Sequence, residues 1–194
     1  MLRGETTNLR AIERTDLERN LRWVNDREVT EHLLLRYPMS EESERAWIES
    51  VTSKAGSYTA GVDLAIEVAG GEYAGEHIGN CGLQPAHPLD RSAELGVMIG
   101  AKHHWGRGYG FDAIRTLITF GFRDLNLRRI WLRVDADHAR AVALYERLGF
   151  RGEGLLRSAD WRRGHPVDVL VMGILRAEFD VRYSAHEEVG DAPR

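Results

Sequence analysis

The 194-residue sequence has few of the features that mark secreted, membrane-spanning or disulfide-bonded proteins. Cys81 stands alone, which excludes an internal disulfide framework and is typical of a reducing compartment. No apolar run approaches the ~20 residues that a membrane span needs. The first residues, MLRGETTNLRAIERTD, contain no apolar signal core. We therefore expect a cytoplasmic protein with no membrane partner.

The sequence also lacks a strong excess of either charge. Its 26 basic and 30 acidic residues give a net charge of −4, so we expect no nucleic-acid partner. Hydrophobic residues make up 43% and charged residues 29%, which is typical of one globular domain with a sizeable core. We expect that domain to cover residues 1–182, with 183–194 as a frayed polar tail.

Hydrophobic periodicity predicts helices and strands in the first half of the chain. A helix is expected near 15–26, and a second one follows Ser40, a predicted N-cap with Glu44 close to the reciprocal capping position. From 62 to 100 the pattern changes to strands. There Ala93, Leu95, Val97 and Ile99 share one face, and we expect an antiparallel meander.

The second half predicts two helices and three strands. Apolar residues recur at helical spacing in FDAIRTLITFGFRDL and again in HARAVALYERLGF, where Gly149 is the expected C-cap. RRIWLRVDAD alternates as a strand between these helices, and two more strands are expected after them. The predicted fold class is α/β (α+β), as a single domain with a mixed sheet.

Three glycines alternate in WGRGYGFDA (residues 105–113), directly before a helical pattern. Glycine costs roughly 1 kcal/mol against alanine inside a helix, so this clustering indicates a special backbone. The first N–H groups of a helix lack intrahelical partners, and glycines let a phosphate approach them closely. The stretch therefore predicts a phosphate or pyrophosphate site with Arg107 as a nearby cation, and a plain tight turn is the alternative.

A dinucleotide site is a second interpretation of the same glycines. Gly108, Gly110 and Ala113 match G-x-G-x-x-A, and Asp135 ends a predicted strand about 20 residues later. However, the preceding strand alternates and carries Glu94, whereas a Rossmann domain opens with a continuously apolar strand. Too few βαβ units follow to complete a doubly wound sheet, so the context disfavours this interpretation.

Two stretches taken together, RSAELGVMIGAKHHWGRGYGFDAIRTL and HARAVALYERLGF, resemble the GCN5-related N-acetyltransferases (GNAT). The branch resembled is that of the ribosomal-protein alanine N-acetyltransferases. Gly108 and Gly110 fall on the small positions of that family's phosphate loop, Q/R-x-x-G-x-G/A, and Trp105 stands where Gln or Arg is commonest. His138 replaces the Asn that usually begins the later motif. The resemblance covers about residues 7–180.

The resemblance implies a central mixed, mostly antiparallel twisted sheet flanked by helices, in which a splayed parallel strand pair holds acetyl-CoA. It implies direct attack of a primary amine on the thioester of this co-substrate, without a metal. The acceptor would be a protein N-terminal α-amine, which the branch favours, or a small-molecule amine. A homodimer would fit the branch. A non-catalytic acyl-CoA-binding sensor is the alternative to an N-acetyltransferase.

The resemblance also implies roles for individual residues. Tyr145 is the expected general acid that protonates the departing thiolate, and packing in the core is its alternative. Glu94 is expected to take the amine proton or attract a cationic acceptor, unless it is only a solvated carboxylate. The expected cofactor-binding residues are Val97, Met98, Ile99, Trp105, Gly106, Arg107, Gly108, Tyr109, Gly110, His138 and Arg140.

The acceptor pocket would lie on the first two helices, the loop between them and the last hairpin. Candidate residues there are Trp23, Asn25, Asp26, Glu28, Glu31, Tyr37, Trp161, Arg162 and Arg163.

The histidines and Cys81 predict no further chemistry. His103 and His104 are adjacent and expected to point apart, so no metal site is expected. Cys81 is expected to be a buried small hydrophobe. Surface or turn positions are expected for the single histidines His32, His77, His87, His165 and His186.

Overall fold

The computed structural model describes residues 1–53 and 61–183, without the side chains of 86–88. The predictions for His87, for His186 and for the tail beyond Tyr183 therefore lie outside the described residues. The elements in chain order are β1 Leu2–Arg3, β2 Thr7–Ala11, α1 Leu17–Val24, α2 Glu41–Ser53, β3 Val62–Val68, β4 His77–His87, β5 Ser92–Ile99, α3 Tyr109–Arg123, β6 Arg129–Asp135, α4 Ala139–Leu148, β7 Arg151–Arg162, β8 His165–Leu175 and α5 Arg176–Tyr183.

Eight strands form one mixed sheet in the order β1-β2-β3-β4-β5-β6-β8-β7. All neighbours are antiparallel except β5 and β6, which run parallel. Among the described residues this parallel pairing joins Ser92–Glu94 to Arg129–Trp131 and goes no further. The two strands then diverge toward Ile99 and Asp135, so the predicted fold with its splayed strand pair is confirmed.

Helix α3 covers the centre of the sheet with its apolar stripe. Ile114, Leu117, Ile118 and Phe122 are at most 1% exposed, as their helical spacing predicts. None of the described helices combines the length and apolar character needed to cross a bilayer.

The start of α3 is fixed to the first hairpin by a buried carboxylate. Asp112 accepts backbone N–H hydrogen bonds from Glu5 at 3.1 Å and from Thr6 and Thr7 at 2.9 Å each. Burial alone would raise the pKa of Asp112, but these bonds together hold it below its ordinary value. The glycine loop therefore leads into a helix whose first turn is held rigidly.

The structure contains the predicted helices and strands. It also contains two elements that were not predicted, one very short and one at the end of the described chain. The meander is β3-β4-β5, and Gly149 ends α4 with a φ of 100°. The pattern did not predict β1 or α5, whose Phe179 packs on Phe122. Ser40 does cap α2, because its hydroxyl accepts the Ser43 N–H at 3.1 Å, but Glu44 turns inward instead of completing the cap.

Candidate active site

A cavity of ≈ 1150 Å³ opens where β5 and β6 diverge. One end is formed by the glycine loop and the start of α4. The other end is formed by the connection between α1 and α2 and by residues in the second half of β7. The space is large enough for an extended ligand that enters beside the loop and for a second molecule at the far end.

The glycine loop has a backbone that L-residues adopt at a cost. Gly106 has a φ of 81° and Gly108 a φ of 87°, with Gly108 as the N-cap of α3. The first intrahelical bond runs from the Asp112 N–H to the Gly108 carbonyl at 3.2 Å. The amides before Asp112 are thus without acceptors inside the helix, at a helix end that favours negative charge.

Trp105 ties the loop to the end of β5. Its indole N–H donates a hydrogen bond to the Ile99 carbonyl at 2.7 Å. The tryptophan thereby fixes the distance between the loop and the strand edge that faces the cavity. This contact gives a structural role to the residue that departs from the usual Gln or Arg.

Ten of the eleven residues predicted to bind the cofactor line the cavity. Arg107 does not, because its guanidinium lies 5.5 Å from the centre of the Tyr73 ring, outside the lining. Near the glycine loop and the start of α3, two other arginines of the lining supply cations: Arg140, which lies beside Gly106, and Arg147, which lies over Phe111. The sequence did not single out Arg147, since a charge late in an amphipathic helix usually faces solvent.

Tyr145 belongs both to the core and to the cavity. Its side chain is 9% exposed and lies edge-on to Phe150, with ring centres 5.9 Å apart. Burial raises the pKa of Tyr145 to about 12, so the phenol keeps its proton at neutral pH. The packing and the acid roles are therefore compatible in one residue.

Glu94 also lines the cavity, where it is paired with a cation. The Nε of Arg133 on β6 donates to the Glu94 carboxylate at 2.9 Å. Because β5 and β6 are parallel neighbours, this pair spans the point at which they separate. If Glu94 accepts a proton during the reaction, its carboxylate does so while paired with the Arg133 guanidinium.

Two histidines and a buried carboxylate form a cluster at the acceptor end. His32 Nδ1 lies 3.0 Å from Asp135 Oδ2, and the Nη2 of Arg162 donates to the other oxygen of Asp135 at 2.9 Å. The His32 ring stacks on His138. Burial, and then the neighbouring His32, lower the pKa of His138. His32 lies exposed in a turn, as predicted, and from there its ring reaches the buried Asp135.

Glu44 is a carboxyl group that the sequence assigned to capping. It is 3% exposed, lines the cavity beside Trp47, and its Oε1 has no hydrogen-bond partner among the described residues. Burial raises the pKa of Glu44 above its ordinary value. A buried, unpartnered carboxyl in a cavity wall is suited to receive a cationic group.

The other predicted acceptor residues divide into two groups. Glu28, Glu31 and Arg162 line the cavity. The rest do not line it, and Trp23 packs against Gly100 and edge-on to His77. His77 is 2% exposed and lies 3.0 Å from Asp16, which corrects its expected surface position. Cys81 is buried as predicted, and burial raises the pKa of its thiol.

His103 and His104 do not point apart. The Nε2 atom of His103 lies 3.0 Å from one oxygen of Glu76, and that of His104 lies 3.1 Å from the other. The short 3-10 turn Lys102–His104 brings the two rings to the same side, with centres 4.1 Å apart. The expectation from sequence adjacency is therefore wrong.

Comparison with known proteins gives a consistent result. The model of the acetyltransferase (GNAT) domain matches residues 7–151. The uncharacterized N-acetyltransferase p20 of Bacillus licheniformis is 29% identical over 182 residues, which cover 90% of this chain and 96% of that protein. The spermidine N(1)-acetyltransferase of Vibrio cholerae is 36% identical over 91 residues, 47% of this chain and 52% of the relative.

Solved structures show the same likeness over the whole domain. The crystal structure of spermidine N-acetyltransferase from Vibrio cholerae in complex with CoA and spermine aligns with a TM-score of 0.78 and 29% identity. The alignment covers 91% of this chain and 99% of that one. These findings confirm the resemblance seen in the sequence, the acyltransferase class and acetyl-CoA as co-substrate. The chain belongs to the GNAT acetyltransferase family.

Proposed function

We propose that the protein transfers the acetyl group of acetyl-CoA to a primary amine of a small cationic molecule of the polyamine class. The observation that carries this choice of acceptor is Glu44, a buried carboxyl in the cavity wall whose Oε1 has no hydrogen-bond partner in the described part of the chain. An ammonium group bound beside it would compensate the burial of the carboxylate. The spermidine acetyltransferases among the similar proteins support the same acceptor class.

The donor half of the cavity suits coenzyme A. The amides that follow Gly108 would hold the pyrophosphate, with Arg140 and Arg147 as nearby cations. The backbone of Val97–Ile99 on β5 has no β6 partner among the described pairings, so it could receive the pantetheine amides as a strand would. An amide of the same stretch would polarise the thioester carbonyl.

The proposed reaction is direct transfer. The neutral amine nitrogen attacks the thioester carbon, the new C–N bond forms and the C–S bond breaks. Tyr145 gives its phenolic proton to the leaving thiolate. Glu94 attracts the acceptor and takes the amine proton, directly or through water, within its pair with Arg133. The lowered pKa of His138 leaves it uncharged at neutral pH, so it retains the hydrogen-bonding, neutral character of the usual Asn.

A protein N-terminus is the acceptor that the resembled branch favoured, and it remains the second candidate. The two candidates differ in what Glu44 contributes. A polyamine carries a second ammonium group at a distance from the reacting nitrogen, and a buried carboxylate can bind it. A peptide acceptor has no such requirement beyond its own α-amine.

A screen of amines tests the proposal. Release of CoA thiol from acetyl-CoA would be measured with polyamines, aminoglycosides, amino acids and short peptides with free N-termini. We expect the highest kcat/KM with polyamines. Release of thiol with the peptides alone would overturn the proposed acceptor class. Binding of acetyl-CoA without thiol release in the presence of any amine would favour the sensor alternative.

A further inference from the structure

Glu76, His103 and His104 place three metal-ligating atoms together beside the glycine loop, and His104 alone of the three also lines the cavity. Glu76 directly precedes β4, and the two histidines lie in the 3-10 turn before the glycine loop. One ligand atom from each residue lies within 4.8 Å of the other two. His103 Nε2 lies 3.0 Å from Glu76 Oε1, within a hydrogen bond, and His104 Nε2 lies 3.1 Å from the other oxygen, Oε2. Both separations are near the roughly 3.3 Å between ligand atoms on one tetrahedral zinc ion bound at ~2.0–2.1 Å.

His104 provides a second, independent observation. The residue is 1% exposed, and neither ring nitrogen has a hydrogen-bond partner among the described residues. Its Nε2 is close to Glu76 Oε2 but lacks the alignment of a hydrogen bond. A buried imidazole that forms no hydrogen bonds is costly unless something else occupies its lone pair.

The immediate surroundings hold His104 in one orientation. The rings of Tyr73 and Tyr109 lie edge-on to it, with centres 4.9 and 5.3 Å away. His103 is on the open side, with 57% of its side chain exposed, so an ion could enter from solvent and keep a water as a fourth ligand. Lys102, the nearest cation in sequence, is engaged by Asp26 and Glu28 and does not compete for Glu76.

We propose that Glu76, His103 and His104 bind a zinc ion that fastens the segment before β4 to the segment before the glycine loop. Two imidazoles and one carboxylate are a ligand set that zinc accepts in proteins, with an open fourth position. The site is separate from acetyl transfer, because no step of the reaction passes through these residues. Its effect is structural and reaches the loop through Tyr73, whose ring contacts His104 and Arg107.

Zinc binding by the full chain tests this site directly. Chelator-treated protein would be titrated with Zn²⁺ against a chromophoric chelator, with Mg²⁺ as the comparison ion. We expect saturable binding of one zinc ion and no displacement by Mg²⁺. At a hundredfold excess over the dissociation constant, zinc should raise the thermal midpoint by about 5 °C or more. Co²⁺ in place of zinc should give the absorption bands of a four-coordinate site.

Variants locate the ion. His103→Ala and Glu76→Gln change partly exposed residues and should fold, and each should weaken zinc binding by about tenfold or more. His165→Ala removes an exposed histidine elsewhere and should bind zinc as the wild type does. The cluster of His32, Asp135 and Asp137 is the rival location, so His32→Ala is the discriminating variant. The proposal is overturned if the wild type shows no saturable zinc binding, or if His103→Ala retains the ion while His32→Ala loses it.

Discussion

The imidazole rings of His32 and His138 are stacked, with centres 3.9 Å apart and planes inclined by 13°. His32 comes from the connection between α1 and α2, and His138 is the N-cap of α4. The contact therefore joins the acceptor side of the cavity to the helix that carries Tyr145. Such a stack is favourable between neutral rings and unfavourable once both carry a charge.

The stacked pair predicts how stability depends on pH. The folded pKa of His138 is lowered, so the unfolded chain takes up this proton first, near the ordinary imidazole value of about 6.5. The contribution of His138 to the free energy of unfolding is therefore fully present above about pH 6.5. It is lost as the pH falls from there toward the lower pKa of the folded state. Urea unfolding at about pH 7.5 and about pH 5.5 should show a smaller decrease for His138→Asn than for the wild type. The exposed His165→Asn should behave like the wild type, and an equal decrease in all three proteins would contradict the assignment.

The conformation of Gly108 predicts a loss of cofactor affinity on substitution. Gly108→Ala places a Cβ on a residue with a φ of 87°, at a cost of roughly 1–2 kcal/mol, although nothing lies within 4 Å of that Cβ. We expect the loop to relax away from this φ and calorimetry to show about tenfold weaker acetyl-CoA binding.

Gly75 offers a matched control, because it has a φ of 80°, equally open space and a position outside the cavity lining. Gly75→Ala should carry a similar strain and keep the affinity for acetyl-CoA. If both alanine variants lose affinity to the same extent, the loss reports strain in general and the phosphate-binding role of Gly108 is wrong.

Tyr145→Phe should separate chemistry from binding. The variant keeps the packing against Phe150 but removes the only proton that the side chain can give to the thiolate. We expect kcat to fall by roughly 10²–10⁴ while the dissociation constant of acetyl-CoA changes by less than about twofold. Tyr183→Phe removes a hydroxyl that donates to the Leu148 carbonyl at the end of the same helix, and it should leave kcat unchanged. Full turnover by Tyr145→Phe would exclude general-acid catalysis by this residue.

Glu44→Gln should weaken binding of the acceptor selectively. The substitution keeps the shape of the buried side chain and removes the charge that a bound ammonium group requires. We expect the KM for a polyamine to rise by about tenfold or more, and the KM for acetyl-CoA to stay the same. Glu42→Gln on the same helix changes a side chain that is 87% exposed and serves as the control. If the wild type, Glu44→Gln and Glu42→Gln have equal KM values for the polyamine, Glu44 does not bind the acceptor.

Local patterns in the sequence predicted most of the fold. The alternation in β5 and the helical spacing in α3 and α4 are properties of contiguous residues, so they could be read without the tertiary structure. Helix α5 was not predicted, because its burial depends on the contact of Phe179 with Phe122, more than fifty positions earlier in the chain. Strand β1 is only two residues long, too short for a periodic signal.

The candidate site could be predicted on its donor side and much less on its acceptor side. The glycine loop and Tyr145 belong to motifs with fixed spacing, whereas the acceptor end is assembled from distant segments. The pair of Glu94 with Arg133 depends on the register of two parallel strands, and the burial of Glu44 depends on the direction in which α2 packs. No pattern in the local sequence predicts either the ion pair or the burial. The same holds for the convergence of His103 and His104 on Glu76.

The central claim is that acetyl-CoA and a polyamine react on this protein, and product analysis tests it most directly. The protein would be incubated with acetyl-CoA and spermidine, and the free thiol and the mass of the polyamine would be measured in the same sample. The account predicts monoacetylated spermidine and one equivalent of CoA for each acetyl group transferred, at a rate that depends on Tyr145. Saturable binding of acetyl-CoA together with unmodified spermidine and no released thiol would contradict it.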